Sequence, residues 1–267
     1  MEEGKLISVF ELLVSAGNSI LKVYNGNNFE TELKSDNSPV TRADKSSGKI
    51  INDGLNQLFN TIPIINEENQ IPNYEVREKW RQFFLVDPLD GTKEFIKKNG
   101  EFSINLALIE DTKPVEGWIY QPLLGKGWYC KKGGGIYEFD ERLQFNRINQ
   151  FETQSGNIRI VTSRSFFKKR EIDLIDKIKK HYSVEIIHKG SSLKQIAIIL
   201  GEADMYLKAG PCSEWDTAPG QLMVEEFGGT VFRIDNFQKL CYNKPILKNP
   251  HFVMLNKNLN TLGLLVS

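Results

Sequence analysis

Cysteine is scarce in this 267-residue chain, and the few present exclude two architectures. Cys130, Cys212 and Cys241 are odd in number and widely spaced, which fits neither a disulfide framework nor a zinc pattern. A reducing compartment is the simplest setting. Net charge is absent as well, because 34 basic residues balance 34 acidic ones. That leaves no electrostatic footprint for duplex nucleic acid or an anionic membrane. A small anionic ligand needs only a few local cations and stays compatible. Long apolar runs are missing too: Ile196-Ala197-Ile198-Ile199-Leu200 is short and sits in a helical pattern, so nothing approaches the length that spans a bilayer. The start, Met1-Glu2-Glu3-Gly4-Lys5, is acidic and lacks the apolar core of a signal peptide. The expectation is a cytoplasmic protein; peripheral membrane attachment, and either a monomer or a homodimer, are compatible with it. There is no internal repeat, low-complexity tract or long linker.

What is there describes an ordinary globular chain, 40% apolar and 25% charged. It is long enough for one large domain or two compact halves. Leu6, Phe10, Leu13, Ile20 and Tyr24 recur at helical spacing, and a second helix follows Val40-Thr41-Arg42-Ala43-Asp44 with Ile51, Leu55, Leu58 and Phe59 on one face. Pro63–Asn66 and Phe83–Val86 read as strands, then Ser103–Glu110, Val115–Tyr120, Trp128–Lys131 and Ile136–Phe139. Residues 1–140 thus form an α+β half. Beyond them strands (Ile158–Thr162, Val184–Ile187, Met205–Leu207, Thr230–Ile234) alternate with helices (Glu171–Lys180, Leu193–Leu200, Thr217–Phe227). Residues 141–267 therefore read as an α/β half.

Asp87-Pro88-Leu89-Asp90-Gly91-Thr92, after the apolar Phe83–Val86, is the most informative stretch. Pro, Asp and Gly turn the chain and leave two carboxylates three positions apart. Carboxylate and carbonyl oxygens are hard ligands suited to Mg²⁺. The N–H groups of Gly91, Thr92 and Lys93, opening a helical turn, form an anion cradle. A loop holding Mg²⁺ on one side and phosphate on the other suggests metal-assisted phosphate chemistry. The same residues equally make a plain tight turn.

Other acids stand where that loop can use them. Glu67 ends a short strand, as Asp87 does, and neighbouring strands would bring both to one sheet edge. Glu67 and Glu68 are otherwise ordinary solvated loop acids. Asp44 and Asp216 each precede or open a helix, and N-capping is the simpler role for either. Capping by one carboxylate oxygen still leaves the other for a metal.

Glu67, the Asp87–Thr92 loop, Trp215-Asp216-x-Ala218 and Phe227-Gly228-Gly229 occur in order, between Lys34-Ser35-Asp36-Asn37-Ser38-Pro39-Val40-Thr41 and Asn249-Pro250 near the two ends of the chain. Together they resemble the signatures of the Mg²⁺-dependent, lithium-sensitive inositol monophosphatase superfamily. The resemblance implies a layered α-β-α-β-α sandwich. It implies that Glu67, Asp87, the Leu89 carbonyl, Asp90 and Asp216 hold two or more Mg²⁺ ions, and that Asp44 and Thr92 orient and deprotonate the attacking water. The chemistry is coherent, since clustered acids require divalent cations and two metals about 4 Å apart stabilise both oxygens of an in-line displacement.

Gly190-Ser191-Ser192-Leu193-Lys194 narrows the substrate. As residues alone it exposes N–H groups and hydroxyls at a helix N-terminus, with Lys194 adding a positive charge, which makes a phosphate cradle. It is more commonly just a Ser cap with a solvated Lys. In this family it resembles the Gly-Ser-Ser-x-Lys of 3′(2′),5′-bisphosphate nucleotidases, and Lys208 stands where those enzymes carry Arg or Lys. Residues 87–102 are similar to the bacterial type in particular. The resemblance implies removal of the 3′-phosphate of 3′-phosphoadenosine 5′-phosphate, or of its sulfated analogue, and a link to sulfur assimilation. Glu67, Leu89, Asp90, Gly91, Thr92, Ser191, Lys194, Lys208 and Asp216 would contact substrate. One departure is Phe166, which replaces a nucleotide-contacting His. The alternatives are an inositol or sugar phosphatase of the same fold, and a non-catalytic metal or nucleotide sensor.

Overall fold

Alternating burial along the central strands decides the layering. In the computed structural model, which describes residues 2–26, 29–34, 37–149, 156–164 and 169–259, Phe84 and Val86 share one core while Phe83 and Leu85 share another. Successive strand residues point to opposite faces, so a sheet buried on both sides reads as a continuous apolar run.

The first stretch contains α1 (Glu3–Tyr24), β1 (Glu32–Leu33), β2 (Pro39–Val40), α2 (Arg42–Leu58), β3 (Ile64–Asn66), the single turn α3 (Tyr74–Arg77), β4 (Gln82–Asp90) and α4 (Thr92–Ile96). It continues as β5 (Ser103–Glu110), β6 (Lys113–Gln121), β7 (Lys126–Lys131), β8 (Gly135–Asp140) and β9 (Phe145–Arg147). Strands β3 to β9 pair in chain order as a seven-stranded sheet. Only β3 and β4 run parallel. The remainder supplies β10 (Ile158–Ser163), α5 (Lys169–Lys179), β11 (Val184–Lys189), α6 (Leu193–Ile199), β12 (Met205–Lys208), α7 (Ala218–Glu226), β13 (Thr230–Arg233) and β14 (Phe252–Leu255). These form a five-stranded sheet of order β11-β10-β12-β14-β13, parallel through β12 and antiparallel beyond.

Three cores stack between the layers. Phe84, Val86, Leu106 and Trp118 pack with Phe10, Leu13 and Ile51 of α1 and α2. Ile119, Trp128 and Cys130, from the other face, join Ile196 and Met223 of α6 and α7 and Val161, Tyr206 and Met254 of the second sheet. That sheet's outer face, with Ile160, Met205 and Leu207, packs on Ile175 and Ile178 of α5. The order is α-β-α-β-α.

Several expectations need correction. The chain does not turn after Val86; β4 runs on to Asp90, with the register shifted between Asp87 and Asp90. Asp87 faces Asn105 and Asp90 faces Ser103, so three steps on one strand match two on the other. One extra residue is a bulge, the site within a sheet that tolerates Pro88. Strand β14 is not among the expected strands: its four apolar residues are too short a run to show a period, although Asn249-Pro250 and Asn256 bracket it. By length and composition α1 is long and apolar enough to cross a bilayer, contrary to the expectation that nothing approaches that length. Unbroken runs were the wrong measure, because Glu11, Ser15 and Asn18 interrupt it. Its Val9, Phe10, Leu13 and Ile20 are buried in the core, at about 1.5–3 kcal/mol each, which accounts for its apolarity.

Candidate active site

Parallel pairing of β3 with β4 sets Asn66 opposite Val86, so the next residues, Glu67 and Asp87, leave the sheet at the same edge. The Glu67 N–H donates to the Val86 carbonyl at 3.1 Å and fixes that exit. The Asp87 carboxylate accepts the Leu89 N–H across Pro88 at 3.0 Å. Asp216 arrives from the segment before α7 and accepts the Ser213 N–H at 2.8 Å. One carboxylate oxygen from each of Glu67, Asp87 and Asp216 lies within 4.8 Å of the others. Three segments 20 and 129 residues apart in sequence thus converge on one point.

Asp90 joins them through the bulge. Its Oδ2 accepts the Ser191 and Ser192 hydroxyls, each at 2.8 Å, and the Asn105 amide at 3.3 Å. Gly91 then turns the chain at φ +91°, and a Cβ there would lie 2.8 Å from the Glu101 carbonyl. Only glycine fits both demands. Thr92 opens α4, and its hydroxyl donates to Asp44 Oδ1 at 2.9 Å and lies 3.3 Å from the Leu89 carbonyl.

Neither Asp44 nor Asp216 is the N-cap that its position suggested. Thr41 caps α2, and Asp44 sits one turn inside, accepting the Thr41 N–H at 2.7 Å and its hydroxyl at 2.5 Å. This capping box fixes Oδ2 and leaves Oδ1 for Thr92. Thr217 holds the cap position of α7, which frees the Asp216 side chain for the cluster. The Ser191 and Ser192 hydroxyls are not a free phosphate cradle, since both are committed to Asp90. Ser191 is held at φ +51°, an uncommon conformation for a residue with a side chain.

The cluster is electrostatically crowded. Burial, then the charges of Glu67, Asp90, Asp216 and Glu68, push the Asp87 carboxyl well above the usual range. Burial, then Asp90 and Glu67, raise Asp216 to about 7. Burial raises Glu68 to about 7 against the opposing pull of Lys34, whose ammonium sits 2.9 Å from Glu67 and 2.6 Å from Glu68. Desolvation also raises Asp44 against the hydrogen bonds from Thr41 and Thr92. Carboxylates this close cannot all stay ionised without a cation, and their hard oxygens suit a divalent one. The donor set fits a metal.

A cavity of about 180 Å³ lies beside the cluster, lined by Asp90, Ser191, Lys194, Lys208, Cys212 and Asp216. Lys194 is buried rather than solvated. Its ammonium donates to the Ser191 carbonyl and lies 5.5 Å from the Tyr206 ring centre. Burial, reinforced by Lys208, brings it down to about 8 despite Asp90. Lys208 reaches toward the Ser163 hydroxyl at 3.5 Å. A second cavity of about 220 Å³ shares Ser191 and Lys194 and includes Thr92 and Arg164. Phe166 lies outside the described residues.

Asn105 and Gln195 had not been singled out. Asn105 bridges Asp90 and the Ser192 hydroxyl, and Gln195 donates to the Asp216 carbonyl at 2.6 Å. The available signal was a polar side chain inside an apolar run, as in Ile104-Asn105-Leu106.

Fold and site define a class: a five-layer α/β sandwich with a carboxylate cluster at the ends of β3 and β4, completed from the segment before α7. The model of the inositol monophosphatase family matches residues 4–261. The chain is 39% identical over 227 residues to the 3′(2′),5′-bisphosphate nucleotidase CysQ of Salmonella typhimurium, covering 85% of this chain and 89% of that protein. It is 31% identical to the CysQ of Haemophilus influenzae, over 96% and 94% of the two chains. Among solved structures it resembles CysQ from Bacteroides thetaiotaomicron, a bacterial member of the same family, with a TM-score of 0.83 and 32% identity over 96% and 98% of the chains. This chain belongs to the inositol monophosphatase family, whose members are metal-dependent.

Proposed function

We propose that this chain is a Mg²⁺-dependent 3′(2′),5′-bisphosphate nucleotidase that converts 3′-phosphoadenosine 5′-phosphate to AMP and phosphate. The observation that carries the reading is the adjacency of two opposed sites: the Glu67–Asp87–Asp216 cluster and the cavity lined by Lys194 and Lys208. A doubly phosphorylated nucleotide places one phosphate at each. The relatives named CysQ bear the same activity in their names. In this reading the half up to residue 140 supplies most metal ligands, and the half from 141 supplies Asp216 and the cations.

Glu67, Asp87, Asp90, Asp216 and the Leu89 carbonyl would hold two or more Mg²⁺ ions. When bound, the metal supplies charge neutralisation and Lewis acidity toward the phosphoryl group. The Thr92 hydroxyl donates a hydrogen bond to Asp44, so the threonine oxygen would present its lone pairs to a water and relay that water's proton. Asp44, raised by burial, is the acceptor to which that water's proton passes. Asp90, held by Ser191 and Ser192, links the metal loop to the segment that carries Lys194. Lys194 and Lys208 bind the phosphate that does not react.

Phosphate release with Mg²⁺ from 3′-phosphoadenosine 5′-phosphate, inositol 1-phosphate and fructose 1,6-bisphosphate tests the reading. The bisphosphate nucleotide should give the highest kcat/KM. Preference for inositol 1-phosphate or the sugar bisphosphate would overturn the substrate assignment, and no turnover of any would point to a sensor.

A further inference from the structure

Glu101, in the turn between α4 and β5, was given no role by the sequence, yet three bonds tie it to the other half of the molecule. Its carboxylate receives the Arg164 guanidinium in a two-pronged pair, Nε to Oε2 at 2.8 Å and Nη2 to Oε1 at 2.7 Å. Oε2 also accepts the Gly190 N–H at 2.9 Å. A Cβ on Gly190 would lie 2.9 Å from Glu101 Cβ, so the backbones meet closely. Burial works against the Glu101 charge, but the bonds from Arg164 and Gly190 and the nearby Arg164 and Lys189 charges outweigh it and hold its carboxyl low.

Arg164 is the member of this set that faces a cavity. It lines the 220 Å³ cavity with Thr92, Ser191 and Lys194, and the same lining includes Glu67, opposed to it in charge. Its Nη2 also donates to the His188 carbonyl at 3.0 Å, so one edge of the fork is fully committed while Nη1 has no bond among the described residues. The side chain is 47% exposed. An arginine that open would ordinarily sample many rotamers and lose that freedom on binding. Glu101 and the His188 carbonyl hold it in one orientation beforehand.

We propose that Glu101 is a positioning residue that presents Arg164 to the anionic part of the nucleotide away from the metal cluster. The proposal rests on the bisphosphate nucleotidase reading. Arg164 sets affinity for that group, and Glu101 removes the ordering cost; neither takes part in the displacement.

A double-mutant cycle tests this, with steady-state kinetics on 3′-phosphoadenosine 5′-phosphate and calorimetric binding of AMP. Glu101→Gln should raise KM about three- to tenfold, through freed side-chain entropy, with kcat within about twofold. Arg164→Ala should do the same, and the double variant should be no worse than Arg164→Ala alone. AMP affinity should fall in parallel with the KM changes. Arg164→Lys keeps the charge, loses the fork and leaves the Glu101–Gly190 bond untouched, so it should also raise KM. Additive losses in the double variant, a fall in kcat at constant KM, or an unaltered KM in Arg164→Lys would overturn the inference. A wild type that releases no phosphate from the nucleotide would instead overturn the activity reading.

Discussion

The seven-stranded sheet and the five-stranded sheet treat buried charge in opposite ways. The first gathers acids: Asp87 is pushed well up by burial and by Glu67, Asp90, Asp216 and Glu68. The second, together with α6 packed beside it, gathers amines, and burial with Lys208 nearby brings Lys194 down to about 8. Low dielectric penalises a charge of either sign, so each region drifts toward neutrality on its own. In the proposed function each would be completed by a ligand of opposite charge, a divalent cation for the acids and a phosphate for the amines. A bisphosphate substrate with one phosphate at each region would offset both costs at once. This comparison makes three claims that can be broken separately.

The largest effect belongs to the acidic side. Asp90→Asn keeps the shape and removes one ligand charge, so kcat should fall at least about 10²-fold, since even a partner behind a metal ligand is worth 10–100-fold. The fold should survive, because the metal-free cluster is self-repelling and loses a charge. Near-normal Mg²⁺-dependent turnover would show that Asp90 does not serve the metal.

A smaller effect tests the cationic side. Lys194→Ala should raise KM for the bisphosphate nucleotide about tenfold or more, the worth of a charge-assisted contact of roughly 1.5–3 kcal/mol. A singly phosphorylated ester has nothing to lose there and should be nearly unaffected. Equal losses for both would place Lys194 with the reacting phosphate or with the fold, as its bond to the Ser191 carbonyl allows.

The same contrast explains what the sequence made legible. The acidic side lies on a compact local motif, Asp87 to Thr92, where spacing, glycine and proline all signal. Glu67 followed because its strand neighbours β4. Local signals misassigned the caps: Thr41 and Thr217 each precede the helix, and a helix start is uncertain by a residue or two. The bulge was read as a turn because both use proline and glycine, and only pairing with β5 separates them. Glu101, Asn105 and Gln195 carry only a weak local signal, for Asn105 a polar side chain inside an apolar run. Their roles exist only through partners such as Arg164, Ser192 and the Asp216 carbonyl, 63, 87 and 21 residues away.

The smallest effect is in stability, and it separates the cluster's own cost from catalysis. Asp216 stands at about 7 in the folded chain and about 3.9 when unfolded. Between those values the folded metal-free protein binds more protons than the unfolded one. Its stability therefore falls as pH rises from about 4 to about 7, and this contribution is flat above. Asp216→Asn removes that loss while its amide oxygen can still accept the Ser213 N–H. The Tm of the variant minus that of the wild type, both metal-free, should grow across this window by roughly 4–8 °C, taking about 2 kcal/mol at 2–4 °C each. That is half of the roughly 4 kcal/mol that a rise from about 4 to about 7 is worth, because the proton is shared with the neighbouring carboxylates. Added Mg²⁺ should reverse the sign, because the wild type gains about 2.7 kcal/mol at a hundredfold excess over Kd and the variant gains less. A Tm difference that does not change with pH would mean that the carboxylates are already relieved within the protein, with Lys34 beside Glu67 and Glu68 supplying part of that relief.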